Sequence, residues 1–122
     1  MQNLIKLVIN DNDVLQYDRS VNLPDNQNQY LQMMDKKMEQ GVTLGNESIK
    51  QPNQLQKAQF VALNMLYQLD QNNDQEAIAM FTYLVNQLQK LKQVKVIGEP
   101  NKYKVEFVFY KDLSNWETIQ FH

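Results

Sequence analysis

Between Asn53 and Leu91 apolar side chains recur at three- and four-residue spacing, and the pattern breaks only once, at Leu69–Ala77, LDQNNDQEA. A 3.6-residue period of this length predicts two helices joined by a short link. After Pro52, Asn53 is placed to cap the first of them, which carries Leu55, Ala58, Ala62, Met65, Leu66 and Leu69 on one face. The second, over about 74 to 91, shows Ala77, Phe81, Leu84, Leu88 and Leu91. Neither apolar arc is narrow. Phe60, Val61, Leu63 and Tyr67 widen the first, and Met80 and Tyr83 lie beside the second, so each helix needs covering on more than one side.

The interruption has the look of a cation loop, because Asp70, Asn72 and Asp74 stand at its alternate positions. A calcium loop also requires Gly at its sixth position and a bidentate Glu at its twelfth, and here these are Gln75 and Phe81. The coordination sphere cannot close, and the segment reads as a helix connector in which Asn73 or Asp74 caps the second helix and Asp74 and Glu76 face its positive dipole end.

On either side the period changes. Residues 4 to 9, LIKLVI, and 14 to 22, VLQYDRSVN, read as a hairpin around Asp11-Asn12-Asp13. Pro24 and Asp25 start a helix over about 26 to 40, with Tyr30, Leu31, Met34 and Met38 on one face, Met33 off it, and Gly41 as its stop. In VTLGNESI, Gly45-Asn46 suits a small hairpin, with a plain loop as the alternative. Residues 94 to 97 and 102 to 110 flank GEPN with strict alternation: Tyr103, Val105, Phe107 and Phe109 face one way, Lys104, Glu106, Val108 and Tyr110 the other. Trp116 to Phe121 adds an edge strand.

The element order is therefore β-β-α-(β-β)-α-α-β-β-β in one domain spanning 1–122. The expected fold is α+β, an antiparallel sheet of about four to five strands with about three helices packed on one face. At 122 residues, with 43% hydrophobic and 10% aromatic side chains and three each of Pro and Gly, the chain can bury one core.

Composition removes whole classes of chemistry. No cysteine means no disulfide, thiolate metal site or cysteine nucleophile, and it fits a reducing cytoplasm. The single histidine is His122, the last residue in the sequence. Ser20, Ser48 and Ser114 have no nucleophile-elbow or Ser-x-x-Lys context, and glycines at 41, 45 and 98 make no phosphate loop. No apolar run approaches the ~18 residues of a membrane span, and the six-residue apolar run at the start is shorter than a signal-peptide core. Asn and Gln make up about a quarter of the chain but are interleaved with apolar residues, so they form no low-complexity tract.

Three candidate constellations remain. Asp11 with Asp13, or Asp35 with Glu39, could act as paired carboxylates, although alternating signs around Asp35 suit an exposed helix face. Residues 90 to 111 hold six lysines against two glutamates, whereas residues 1 to 89 hold ten acidic and six basic side chains. In that basic segment Lys90 and Lys92 are expected in the last turn of a helix, while Lys95, Lys102, Lys104 and Tyr110 could make an anion-binding strand pair able to hold phosphates and stack a base. The acidic remainder and the single Arg argue against nucleic acid. The third constellation is the surplus apolar surface of the two later helices, Phe60, Val61, Leu63, Tyr67, Met80 and Tyr83, which a partner would cover.

The sequence thus points to a small, non-enzymatic cytoplasmic protein that binds a protein partner, itself included, as a homodimer, with no cofactor and no metal. The alternatives are a small-molecule pocket protein or enzyme using a carboxylate base, and a weak nucleic-acid binder acting through the basic hairpin.

Overall fold

The computed structural model describes residues 4–20, 25–44 and 46–110, together with the backbone of strand 118–121. The fold is α+β. The chain forms two compact units, one from its two ends, Met1–Val21 with Leu88–His122, and one from Asn22–Gln87.

The first unit is a five-stranded sheet. Strands β1 (Leu4–Ile9) and β2 (Asn12–Asp18) form the expected hairpin, but its turn is Asn10-Asp11, one step earlier than the sequence suggests. Both residues have positive φ, 49° and 68°, the geometry of a two-residue turn matched to strand twist, which Asn and Asp tolerate better than other side chains. Strands β5 (Leu91–Ile97), β6 (Lys104–Phe109) and β7 (Thr118–Phe121) complete the order β2-β1-β5-β6-β7. Trp116 lies outside the described residues.

The sheet is mixed, which corrects the antiparallel expectation: β1 runs parallel to β5, with Leu7 beside Val94 and Ile9 beside Val96. Alternation has the same period in both arrangements, so it does not reveal strand direction. The long chain between β2 and β5 provides the crossover that a parallel pair needs. Ile5, Leu7, Val94, Val96, Val105 and Phe107 are fully buried or nearly so, while Lys6, Lys95 and Glu106 on the alternate positions are partly solvated.

Two polar clamps close the ends of this sheet. Asn10 donates its Nδ2–H to the Gly98 carbonyl at 2.8 Å and accepts the Gly98 N–H on Oδ1 at 2.9 Å, tying the β1–β2 turn to the β5–β6 turn. At the opposite end Arg19 donates to the carbonyls of Leu88 (2.8 Å) and Leu91 (3.1 Å), and the Tyr110 N–H reaches the Lys90 carbonyl at 2.8 Å.

The second unit holds helices α1 (Asp25–Met38), α2 (Gln54–Asp70) and α3 (Asp74–Gln87), with a small hairpin of β3 (Val42–Leu44) and β4 (Glu47–Ile49). Gly45, expected in that hairpin turn, lies outside the described residues. Gly41 ends the run after α1 with φ 129°, its N–H donating to the Met38 carbonyl. Asn53 and Gln56 form a reciprocal capping box at the start of α2.

The α2–α3 connector is the turn that the sequence anticipates. Asn72 adopts φ 62°, the Asn73 N–H returns to the Gln68 carbonyl at 2.8 Å, and the Asn73 carbonyl accepts the Ala77 N–H. Phe81, at the position where a calcium loop needs Glu, is buried. The helices run antiparallel, since Gln54 at the start of α2 donates to the Gln87 carbonyl at the end of α3. α3 stops at Gln87 and not near 91: Leu91 already belongs to β5, so Lys90 sits in a turn and Lys92 on a strand.

Candidate interaction site on the helical unit

Within the helical unit, side-chain bonds tie α1 to α3 through Tyr30–Glu76 and Tyr83–Asp35 and to α2 through Lys57–Asp35. Leu31 and Met38 are its buried residues, Met34 is half-buried, and Tyr30 and Met33 are exposed at 39% and 69%. The helix is also anchored by a polar tie. Asp35 accepts the Tyr83 hydroxyl at 2.7 Å and Lys57 Nζ at 3.3 Å, so one carboxylate joins all three helices. Burial, followed by the bond to Asp35, pushes the Tyr83 phenol far above its ordinary range. Tyr30 makes a second tie, donating its hydroxyl to Glu76 at 3.2 Å.

Beside this anchor is a groove of about 550 Å³, walled by Tyr30, Met34, Met38, Phe60, Val61 and Met80, with Lys37, Gln40 and Asn64 contributing polar groups. A smaller hollow of about 270 Å³ is lined by Tyr30 together with Ile78 and Thr82. The volume of the larger groove is in the range of ligand sites. Its three methionines give it a lining that adapts to different shapes. Lys37 is the one charged residue among those lining it, so it can hold apolar groups but offers no paired acid and base.

The six residues expected to form a partner surface separate into different environments. Val61 and Tyr83 are buried, at 2% and 1%, which corrects their assignment to an exposed patch: their excess apolar surface is satisfied inside the protein. Phe60, Leu63 and Met80 are half-buried, and Phe60 and Met80 help to wall the groove. Tyr67 alone is well exposed, at 56%. The methionines of α1 divide as their spacing implies: Met34 and Met38 share the face of buried Leu31, whereas Met33, off that face, is exposed.

The carboxylate pairs also part. Asp13 pairs with Lys6 at 3.1 Å, and Asp35 turns to Lys57 and Tyr83 instead of to Glu39. The basic hairpin does not converge either. Lys95 stands directly across from Glu106, Lys102 is in the β5–β6 turn with its N–H on the Glu99 carbonyl, and Lys104 is at the start of β6. Tyr110 follows the far end of that strand, ~20 Å from Lys104 at the usual rise per residue, so the two cannot grip one phosphate and its base.

The fold and site together define an α+β protein with a mixed sheet and a three-helix unit that carries an apolar groove. No protein-family model, curated protein or solved structure matches the chain. Among the described residues no helix is long and apolar enough to cross a membrane.

Proposed function

We propose that the protein is a non-enzymatic cytoplasmic interaction protein that self-associates through its helical unit. The observation that supports this is the exposure of Met33, at 69% the most exposed large apolar side chain described, on a helix that also exposes Tyr30, in a unit that exposes Tyr67 and Ile78. Single exposed apolar residues are ordinary; what supports a contact surface is that Tyr30 and Met33 are exposed three residues apart, as neighbours on one helix face. Sedimentation equilibrium over a concentration series tests it. The apparent mass is expected to climb from 14.4 kDa toward twice that value, and a protein that stays monomeric at several hundred micromolar overturns the reading.

The groove favours a second reading, a pocket protein that takes a small apolar ligand. Here an apolar fluorescent probe binds saturably, one per chain, and Met80→Trp, which fills the groove, abolishes the signal. A signal that is non-saturating or indifferent to Met80→Trp removes this reading.

A further inference from the structure

The exposed side of α1 carries its own symmetry. Residues 26, 29, 30, 33, 36 and 37 fall on one stripe at helical spacing, and all six are exposed, whereas Leu31 and Met38 are buried on another face. Asp25, exposed on the flank of this stripe about 80° from its centre, lies in the first turn, Lys36 and Lys37 in the last, and Met33 and Tyr30 between them. A helix that is acidic at its start, basic at its end and apolar in the middle is complementary to a reversed copy of itself. Parallel pairing would instead bring like charges and like dipole ends together.

We propose that the self-association named above, on which this inference rests, is an isologous pairing of α1 with α1 of a second copy, antiparallel about a two-fold axis that crosses the exposed stripe at the height of residue 31. In that register Asp25 of each copy meets Lys37 of the other. Asp25 and Lys37 are twelve residues apart, ~18 Å along the helix. The same reversal sets each Met33 beside the second copy's Gln29 and Tyr30, where its sulfur meets an aromatic edge. The two-fold makes every contact occur twice, and the pair closes without leaving a surface to propagate a filament.

The size of the stripe sets the strength. A helix of 14 residues is ~21 Å long, and one stripe along it supplies on the order of half the ~800 Å² per partner of a standard interface. The dimer is accordingly weak, dissociating in the tens to hundreds of micromolar, and its charged rim makes it salt-sensitive.

Charge reversal tests the register. Asp25→Lys and Lys37→Asp each turn two attractive contacts into two repulsive ones, and each variant alone is expected to dissociate about tenfold more readily. Mixing the two single variants restores attraction at both contacts, so the mixture forms a heterodimer of wild-type strength, and the double variant Asp25→Lys/Lys37→Asp dimerises like wild type. Far-UV circular dichroism confirms that each variant keeps its helices, and Met33→Lys provides a second disruption that leaves both charges in place. A wild-type dimer that none of these substitutions weakens, or a mixture no tighter than its components, overturns the α1 register while leaving self-association standing. A wild-type monomer at every concentration overturns both, and assigns the stripe to solvent or to a different protein.

Discussion

Replacing Asp35 with Ala removes the one acceptor that joins α1, α2 and α3, and the cost can be worked from the two bonds it breaks. The Tyr83 side chain is almost wholly buried, at 1% exposure, and its hydroxyl loses its charged acceptor. Losing such a bond costs about 1.5–3 kcal/mol. Lys57 loses its partner as well; its side chain is 12% exposed and that of Asp35 is 35% exposed, so this partly screened ion pair adds about 1 kcal/mol. The expected total is about 2–4 kcal/mol, read as a lowered urea midpoint in far-UV circular dichroism. Asp35→Asn keeps an acceptor for the phenol and loses only the charge, at about 1 kcal/mol. Tyr83→Phe in the Asp35→Ala background removes the orphaned hydroxyl, so the double variant is more stable than the sum of the singles by about 1–2 kcal/mol. An Asp35→Ala variant within about 0.5 kcal/mol of wild type, or a double variant that is simply additive, would refute the claim that this carboxylate holds the unit together.

Gly98→Ala should destabilise the sheet unit by about 2 kcal/mol or more, because φ there is 121° and the new Cβ would sit 2.6 Å from the Lys102 carbonyl oxygen, a backbone atom that cannot swing away; thermal melting reads it, and an unchanged melting temperature contradicts it. The raised Tyr83 phenol fixes a direction with pH: the unfolded chain loses that proton near pH ~10 while the folded one keeps it, so stability present below that pH falls as pH rises past it. Ultraviolet titration should therefore show fewer than the six tyrosines of the chain ionising before the protein unfolds, and six ionising reversibly in the folded state would contradict the burial of Tyr83.

What the sequence made legible were features whose cause is local. The capping of α2 by Asn53, the Gln71–Asn73 connector and the alternation of Val105 and Phe107 each follow from a few neighbouring residues, and each stands where the residues place it. Strand direction was not legible, because the β1–β5 pairing joins residues such as Leu7 and Val94 that share no local signal. The end of α3 was misplaced for a related reason. Leu88 and Leu91 continue the helical spacing of Phe81 and Leu84, but the carbonyls of Leu88 and Leu91 accept Arg19 from 69 and 72 residues earlier, which sets the chain on its way into β5. Val61 and Tyr83 read as surplus because counting apolar positions cannot show how much of a wide arc the rest of the protein covers. Asp35 looked like solvated charge, and its partners Lys57 and Tyr83 come from two other helices.

The same division between local and distant contacts bears on how the sheet unit assembles. The β1–β2 and β5–β6 hairpins each close over a few residues, whereas the β1–β5 ladder joins Lys6 to Gln93 and Ile9 to Val96 across the whole helical insertion. Loop-closure entropy must be overcome before that ladder returns any stabilisation, and parallel pairing is slow for this reason. Val94, fully buried beside Leu7, is therefore expected to gain its contacts after the rate-limiting step. Val94→Ala should cost about 2 kcal/mol, enough for a dependable ratio, and the loss should fall mainly on the unfolding rate, with a φ-value of about 0–0.3. Val105→Ala, on the locally closed β5–β6 hairpin and equally enclosed, serves as the comparison and should slow folding more. Stopped-flow chevrons measure both. If Val94→Ala slows folding as much as Val105→Ala does, the β1–β5 ladder forms with the hairpins, and distance along the chain is not what orders the assembly of this sheet.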